Sequence, residues 1–268
     1  SLRHPFVLLL EATYQDANLL FMLLECVPGG ELFQLLAEQP TGCVSTDAAR
    51  FYGGCVIDAF SYMHEQKVVY RDLKPENLLL DRAGYIKVID FGFGKFLDKA
   101  PYRTSTFCGT PEYFAPEIMM GKGYDFSVDV WGVGILIYEM IFGYTPFADH
   151  DSGNPHKTMQ YIAKNKVEFP TDGNPDRGAK KLILSLLTKN SVQRLGCGSG
   201  GTAEIKKHDW FNVPGFDWAK LECMQLKAPA VGIPKLKGEH DVVEPMESYS
   251  AKYQVRPYRG DQKWCENW

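Results

Sequence analysis

Apolar residues near the start of the chain form two short runs separated by a polar cluster. The runs cover residues 6–10 and 19–27, and the turn-forming side chains between them cover residues 15–18. This pattern predicts two antiparallel strands joined by a tight turn. Because two strands are only marginally stable alone, and the sequence starts at Ser1 rather than methionine, we expect a larger sheet that this sequence contains only in part.

A long amphipathic helix is predicted next, over residues 45–66. Its apolar residues recur at helical spacing, and Ser45 is a suitable N-cap because its hydroxyl can accept a backbone hydrogen bond. Gly53 and Gly54 lie inside this segment, where each glycine costs about 1 kcal/mol relative to alanine. We therefore expect a neighbouring element to pack closely against these two glycines.

The middle of the chain carries further patterns of regular structure. Residues 127–142 are apolar almost all round and are followed by Gly143, which predicts a helix buried at the centre of a helical domain. Before it, two short apolar segments at 78–80 and 85–89 predict a β-hairpin. Three more segments have helical spacing: 155–164, 178–189 and 203–207.

The last part of the chain has no long periodic segment. Residues 212–268 contain five prolines, and proline interrupts both helices and sheets. We therefore interpret this part as an extended tail that either wraps around a surface or is partly mobile.

Composition excludes several classes of protein. The chain has 268 residues, of which 45% are apolar, so it can bury a sizeable core. Its formal net charge of −4 is small and has the wrong sign for a general nucleic-acid binder. The seven cysteines form no C-x-x-C pair, which argues against a zinc finger and favours a reducing, cytoplasmic compartment. The most apolar stretch, residues 130–142, is shorter than the roughly 20 residues that a membrane span needs and contains Glu139.

Candidate chemistry is concentrated in one segment and two later triplets. The segment 70–77 reads YRDLKPEN and places an acid, a base and an amide just before the predicted hairpin. Asp90 opens the triplet DFG, and Ala115 opens the triplet APE. In this order the three motifs resemble those of the large lobe of eukaryotic protein kinases.

The resemblance implies a fold and its division into parts. It implies an α+β protein in which the mainly helical large lobe of the protein-kinase fold carries a two-strand remnant of the small-lobe sheet and an extended C-terminal tail. The expected boundaries are 1–27 for the small-lobe remnant and hinge, 28–211 for the large lobe, and 212–268 for the tail.

The resemblance also implies the catalytic residues. Asp72 would align the substrate hydroxyl and take its proton, while Lys74 would contact the transferred phosphate and marks serine/threonine specificity. Asn77 and Asp90 supply the hard oxygen ligands that Mg²⁺ prefers, with Mn²⁺ as the alternative metal. The implied cofactors are therefore ATP and a divalent cation.

The nucleotide site is expected around the end of the second apolar run. By resemblance, backbone groups of Glu25 and Val27 would bond the adenine edge, Leu24 would close the back of the pocket, and Leu79 would form its floor. Glu31 is a further expected nucleotide contact.

Tyr70 and the segment 106–113, which reads TFCGTPEY, match the AGC group of serine/threonine kinases, whereas many kinases have histidine at the position of Tyr70. The resemblance then implies that Thr106 is phosphorylated in the activation segment. It also implies that Arg71 and Lys95 meet the phosphate and so order this segment.

Other residues have expected roles in substrate binding or in support of the fold. Glu31, Glu76 and Glu139 match acidic positions with which basophilic AGC kinases bind arginine side chains, and Thr110 would form the floor under the acceptor residue. Three residues are expected to be structural: Asp129, by hydrogen bonds to the backbone around 71–72, and Glu117 and Arg194, by an ion pair.

Features near the end of the sequence narrow the resemblance. Residues 226–229 and 233–238 are similar to the start of an AGC tail, and Trp264 and Trp268 are similar to its end. Together with residues 154–158, they favour the cyclic-nucleotide-dependent kinases. The expected partners are protein substrates with basic motifs and a cyclic-nucleotide-binding regulatory domain or subunit, but neither nucleic acid nor a membrane span.

Two functions are compatible with this sequence. The first is a serine/threonine kinase that transfers the ATP γ-phosphate to proteins with basic residues N-terminal to the acceptor. The alternative is a catalytically impaired, pseudokinase-like scaffold or binding module, because the Gly-rich loop and the ATP-anchoring lysine are absent from this sequence. Asp72, Asn77 and Asp90 are all present, which favours the enzyme, although we expect this chain alone to transfer phosphate very slowly.

One further motif is a misleading match. Residues 196–201 read GCGSGG, which has the G-x-G-x-x-G spacing of a phosphate-binding loop. Such a loop follows a strand, whereas the segment before this one has helical spacing. We therefore predict a surface loop here.

Overall fold

Two antiparallel strands begin the described part of the protein. The structure is a computed structural model that describes residues 2–16, 19–149, 151–170 and 176–232. Strand β1 (Leu10–Gln15) pairs with β2 (Leu20–Leu24), with Thr13 opposite Met22. The predicted strand pair is confirmed, but its first strand begins at Leu10 rather than at residue 6.

The first apolar run differs in role from the prediction. Phe6 is buried, and its ring stacks on Tyr85 with the ring centroids 5.8 Å apart. The Leu8 N–H donates to the Val88 carbonyl at 2.9 Å, and the Val88 N–H donates to the Phe6 carbonyl at 2.8 Å. Most of this run therefore anchors the strand pair to the core and lies outside the strand.

Helices make up most of the regular secondary structure in the described residues, and short strand pairs lie between them. The helices are α1 (Leu32–Ala37), α2 (Thr46–Glu65), α3 (Pro116–Met119), α4 (Ser127–Phe142), α5 (Pro155–Lys164), α6 (Arg177–Leu186), α7 (Ala203–Lys206) and α8 (Trp218–Glu222). Two further antiparallel strand pairs are β3 (Val68–Val69) with β6 (Lys95–Phe96), and the predicted hairpin of β4 (Leu78–Leu80) with β5 (Ile86–Val88). The predicted α+β class, mainly helical with few short strands, is confirmed.

Helix α2 follows the sequence pattern closely. The Ser45 hydroxyl accepts a backbone hydrogen bond at 3.2 Å and so caps the helix. A Cβ placed on Gly53 would lie 3.2 Å from Ile137 on α4, and one placed on Gly54 would lie 2.9 Å from Leu221 on α8. The expected close packing at both glycines is therefore confirmed.

Helix α4 is the buried central helix that the sequence predicts. Its residues from Ser127 to Tyr138 are all buried, and Gly143, with a left-handed φ of 81°, caps its C-terminal end. The helix packs against both α2 and α6. A Cβ on Gly134 would come within 2.8 Å of Leu187, just beyond α6, so this glycine allows the two elements to approach.

Three short helices, α1, α3 and α8, have no counterpart in the sequence prediction. Each has six residues or fewer, which is too few to show helical periodicity. Helix α8 lies in the expected tail, where the Asp217 carboxylate caps it and Leu221 buries it against α2. The predictions for 233–238, Trp264 and Trp268 concern residues outside the described ones.

Two boundaries need correction. Helix α6 ends at Leu186, and α7 ends at Lys206, so both finish earlier than their apolar spacing predicted. Among the described residues, no helix is both long and apolar enough to cross a membrane.

Candidate active site

A buried carboxylate lies at the centre of the segment 70–77. Asp72 is 4% exposed, and its Oδ2 accepts a hydrogen bond from Asn77 Nδ2 at 2.9 Å. Thr110 Oγ1 donates to Asp72 Oδ1 at 3.0 Å, and Lys74 Nζ lies 3.4 Å from Asp72 Oδ2. The structure thus brings four of the expected site residues together, from two separate segments.

Helix α4 supports the backbone of this segment. Asp129 in its first turn accepts hydrogen bonds from the Tyr70 N–H at 2.9 Å and from the Arg71 N–H at 2.8 Å. His64 Nε2 lies 2.8 Å from the same carboxylate. Arg71 has a left-handed φ of 73°, which is costly for a residue other than glycine, and these bonds hold it there. The contacts involve residues 70 and 71, one position earlier than expected.

Asp90 follows β5, and backbone bonds tie this strand to the same segment. The Ile89 N–H donates to the Asn77 carbonyl at 3.0 Å, and the Tyr70 hydroxyl donates to the Ile89 carbonyl at 2.6 Å. Burial raises the pKa of the Tyr70 hydroxyl well above its usual value, so this hydroxyl stays a donor at neutral pH. Asp90 itself has a φ of 52°, and its Oδ1 accepts from the Gly92 N–H at 2.9 Å.

The two expected metal ligands have oxygen atoms that suit a hard cation. Asn77 directs Nδ2 at Asp72, which leaves its Oδ1 as an acceptor. Asp90 adds a carboxylate. No group of three or more His, Cys, Asp or Glu side chains that could hold a metal ion occurs among the described residues. A cation at Asn77 and Asp90 would take its other ligands from phosphate or water, as Mg²⁺ commonly does.

A mainly apolar cavity of about 500 Å³ lies between the first strand pair and Asp90. Leu10, Met22 and Leu24 line it from the strands, and Phe91 lines it beside Asp90. The structure therefore brings Leu24 to Asp90. The other expected nucleotide residues do not line this cavity: Glu25, Val27, Glu31 and Leu79.

Glu25 is held by its carboxylate. Lys87 Nζ donates to both of its oxygens at 2.9 Å, and the Leu9 N–H donates to one of them at 2.7 Å. Leu79 pairs through its backbone with Lys87 on one side and with Glu31 on the other. Glu25 is therefore linked to Glu31 through Lys87 on β5 and Leu79 on β4. Val27, two residues after Glu25, is half-buried.

Thr106 is exposed, and its two expected cationic partners reach it through other side chains. Lys95 Nζ donates to Thr104 Oγ1 at 3.0 Å, and that hydroxyl lies 3.3 Å from Thr106 Oγ1. Arg71 Nη1 donates to the Tyr124 hydroxyl at 3.2 Å, which donates to the Thr106 carbonyl at 2.5 Å. Arg71 and Lys95 therefore approach Thr106 through Tyr124 and Thr104.

Two of the three expected acidic substrate residues lie in one group. Burial raises the pKa of the Glu139 carboxyl to about 7, and the nearby carboxylates of Glu76 and Glu112 raise it further. The Tyr113 hydroxyl donates a hydrogen bond to Glu139 and opposes this shift. Glu31 pairs with Leu79 instead.

Comparison with known proteins decides the family. A family model described as "Protein kinase domain" matches residues 1–211. The chain belongs to the protein kinase family. The cAMP-dependent protein kinase catalytic subunit PRKX of Mus musculus is 45% identical over 242 residues, which are 90% of this chain and 64% of that protein. The cGMP-dependent protein kinase isozyme 2 forms cD5/T2 of Drosophila melanogaster are 43% identical over 226 residues, or 84% of this chain and 23% of that protein.

A third relative belongs to the same group. The cGMP-dependent protein kinase 2 of Homo sapiens is 42% identical over 251 residues, which are 93% of this chain and 31% of that protein. This kinase is therefore a relative of the cyclic-nucleotide-dependent kinases of the AGC group, as the motifs predicted. The chain spans less than two thirds of the length of these three curated relatives.

The kinase also contains the expected ion pair of Glu117 and Arg194. The Arg194 guanidinium, 1% exposed, donates to both Glu117 oxygens, at 2.7 and 3.0 Å. It also donates to the Ser127 carbonyl at 2.8 Å and lies over the Trp131 ring. Both partners also bond Ser127, so together they connect α3 and the segment around Arg194 to the start of α4.

The glycines of the loop at 196–201 face the carboxylate of a nearby residue, Glu204. The Gly200 N–H donates to Glu204 Oε1 at 3.2 Å, and a Cβ on Gly200 would lie 2.6 Å from that oxygen. Because a carboxylate already faces these glycines, the loop does not resemble a vacant phosphate cradle. It follows α6 rather than a strand, in agreement with the predicted surface loop.

Sequence reasoning missed several residues that hold the site together. These residues contact partners more than 50 positions away in the chain. His64 contacts Asp129, Lys87 contacts Glu25, and Tyr124 contacts Arg71. No local pattern could reveal such pairs. Glu112 carried a local signal, because it lies in the same TPEY segment as Thr110.

Proposed function

We propose that this kinase domain is a serine/threonine kinase that transfers the γ-phosphate of ATP to proteins with basic residues N-terminal to the acceptor. The observation that carries the proposal is the buried Asp72 carboxylate, which Lys74, Asn77 and Thr110 all contact. Lys74 and Asn77 come from the segment 70–77, and Thr110 comes from the segment 106–113. They hold the carboxylate in one orientation, and a carboxylate has further lone pairs with which to accept a hydrogen bond from a substrate hydroxyl.

Asp72 is proposed as the group that aligns the substrate hydroxyl and accepts its proton. Lys74 is proposed to stabilise negative charge on the transferred phosphate, since its ammonium lies 3.4 Å from the same carboxylate. Thr110 holds Asp72 Oδ1 through its hydroxyl, so it fixes the orientation of the carboxylate toward the acceptor. The three groups would act on one substrate hydroxyl.

ATP and Mg²⁺, or Mn²⁺, are the proposed cofactors. Asn77 and Asp90 would hold the cation, which when bound neutralises phosphate charge. Leu24 lines the cavity next to Asp90, while Glu25, Val27, Glu31 and Leu79 are proposed as further nucleotide contacts along the adjoining strands.

The acidic group of Glu76, Glu112 and Glu139 supports the proposed preference for basic substrates. An arginine side chain placed there would gain charge-assisted hydrogen bonds and would relieve the repulsion among the three carboxylates. Glu31 stays a proposed substrate residue, although its backbone contact with Leu79 lies on the nucleotide side.

Regulation is proposed to act through Thr106 and through cyclic nucleotides. Arg71 and Lys95 approach Thr106 through Tyr124 and Thr104, which supports the proposal that they would meet a phosphate on Thr106. The names of the relatives support a cyclic-nucleotide-binding regulatory domain or subunit as a partner. A cytoplasmic location stays a prediction.

The direct test is transfer of the γ-phosphate from ATP to a peptide with arginine before serine. The chain is assayed alone and joined to a complete kinase small lobe. We expect slow transfer from the chain alone and faster, Mg²⁺-dependent transfer from the joined protein. If the joined protein bound Mg-ATP but left the peptide unmodified, the scaffold alternative would be preferred.

Asp90→Asn in the joined protein should lower kcat by about 100-fold or more, because the cation loses a charged ligand. The melting temperature should stay nearly unchanged, since within the described residues the Asp90 side chain forms a hydrogen bond only with the nearby Gly92 N–H. Asp81→Asn is the matched control, because Asp81 accepts two backbone bonds in the hairpin turn. Both bonds go to Asp81 Oδ1, which asparagine keeps as its amide oxygen, so that control should leave both kcat and the melting temperature nearly unchanged.

A further inference from the structure

Tyr124 connects the activation segment to the residue that precedes Asp72. It is 2% exposed and lies between α3 and α4, where its backbone forms two hydrogen bonds with Thr104, of 2.8 and 2.9 Å. Its hydroxyl donates to the Thr106 carbonyl and accepts from Arg71 Nη1. One hydroxyl can do both, because it has one proton and two lone pairs.

Arg71 has a second anchor on the other side of its guanidinium. Its Nε donates to the Phe93 carbonyl at 2.7 Å, directly after the triplet that Asp90 opens. The guanidinium therefore bridges the segment that follows Asp90 and the segment that carries Thr106. Because Arg71 is the neighbour of Asp72 in the chain, its position affects where the Asp72 carboxylate lies.

The contacts beyond Thr106 leave the activation segment little freedom. Gly109 has a φ of 108°, and a Cβ there would lie 2.6 Å from the Arg71 carbonyl oxygen, so this approach requires glycine. One residue later, Thr110 donates to Asp72. Three residues of the activation segment are thus tied to the segment 70–77. Thr106 is linked to Arg71 through Tyr124, Gly109 lies against the Arg71 carbonyl, and Thr110 contacts Asp72. The first of these links depends on Tyr124.

We propose that Tyr124 is a positioning residue that holds Arg71 and the activation segment together while Thr106 is unphosphorylated. This inference rests on the proposed function, in which Thr106 is the phosphorylation site. A phosphate on Thr106 would bring a charge of roughly −2 close to Arg71 and Lys95 and would attract both cations directly. The bridge through the Tyr124 hydroxyl would then become dispensable.

The test compares Tyr124→Phe with Tyr85→Phe in the full chain, each with and without Thr106→Glu, which adds a negative charge. Tyr85 is the matched control, because its hydroxyl also donates to a backbone carbonyl, that of Leu226. Amide hydrogen exchange over residues 104–110 is measured by mass spectrometry, and melting temperatures are recorded for every variant.

We expect Tyr124→Phe to speed exchange over 104–110 by about tenfold, because the Thr106 carbonyl loses its donor and Arg71 loses its link to this segment. Tyr85→Phe should leave that region unchanged, and Thr106→Glu should reduce the effect of Tyr124→Phe to less than about twofold. Equal effects of the two phenylalanine variants, or an effect of Tyr124→Phe that Thr106→Glu leaves intact, would overturn the proposal.

A kinetic readout separates positioning from simple stability. In the chain joined to a small lobe, Tyr124→Phe should lower kcat several-fold and leave the KM for ATP unchanged, since the hydroxyl acts through Arg71 on Asp72. Absence of phosphate transfer in the parent protein would count against the proposed function. The exchange comparison would still decide the role of Tyr124, because it does not depend on activity.

Discussion

At the scale of single residues, the Glu139 carboxyl changes its charge near neutral pH. Its pKa of about 7 has burial as its main cause, with Glu76 and Glu112 adding to it. A guanidinium beside it would favour the ionised form and lower this pKa. Binding of an arginine side chain therefore releases a proton, and affinity for a basic substrate should rise as pH increases toward 7.

This reasoning gives a measurable pH dependence. For a peptide with arginine before serine, the KM should be about tenfold higher at pH 6 than at pH 8, because only about one tenth of Glu139 is ionised at pH 6. Glu139→Gln should flatten this dependence, and so should replacing the peptide arginines with alanine. A KM that follows pH equally in the variant and the parent would show that another group titrates.

At the scale of elements, the pair of Arg194 and Glu117 attaches α3 to α4, because both side chains also bond Ser127 at the start of α4. Replacing Arg194 by alanine would leave the Glu117 carboxylate with the Ser127 hydroxyl as its only hydrogen-bond partner among the described residues. We expect a loss of about 3–5 kcal/mol in the free energy of unfolding, measured by urea denaturation. Glu222→Gln, which breaks the more exposed pair with Lys206, should cost less than about 1 kcal/mol.

Helix α4 offers a second comparison within one element. A Cβ on Gly134 would lie 2.8 Å from Leu187, whereas a Cβ on Gly132 would be in ordinary contact with Leu73 at 3.4 Å. Gly134→Ala should therefore lower the free energy of unfolding by about 1–3 kcal/mol through overpacking. Gly132→Ala should be neutral or stabilising by up to about 1 kcal/mol, because alanine favours the helix. Similar melting curves for both variants would contradict this account.

The same elements show what sequence reasoning can predict. Helices α2 and α4 and the hairpin were predicted almost to the residue, because long apolar periodicity and capping residues are local signals. The start of β1 was misplaced, because an apolar run does not reveal whether it pairs as a strand or anchors in the core through Phe6.

The residues of the candidate site also fall into two groups, those that the sequence reveals and those that depend on the fold. Residues 72, 74 and 77 lie in one motif and could be found from the sequence. The partners that orient this motif, such as His64 and Tyr124, come from distant segments and depend on the fold.

At the scale of the whole molecule, the β1–β2 pair and the helical core differ in burial. Tyr14 and Met22 on the strands are 60% and 59% exposed, while the α4 residues from Ser127 to Tyr138 are buried. Amides of β1 and β2 should therefore exchange by local opening at least about 100-fold faster than those of α4. Hydrogen exchange under native conditions measures this, and equal protection would show that the strands and the core unfold as one unit.

The tyrosine at position 70 has a consequence for the behaviour of the protein in acid. Its hydroxyl joins the loop of Asp72 to the strand before Asp90 and carries no charge at any physiological pH. A histidine at this position would carry an imidazole that can gain a proton, whereas a phenol cannot. Mild acidification should therefore weaken the recognition of arginine at Glu139 first and leave the reaction centre assembled, so that lost turnover returns in full when neutrality is restored.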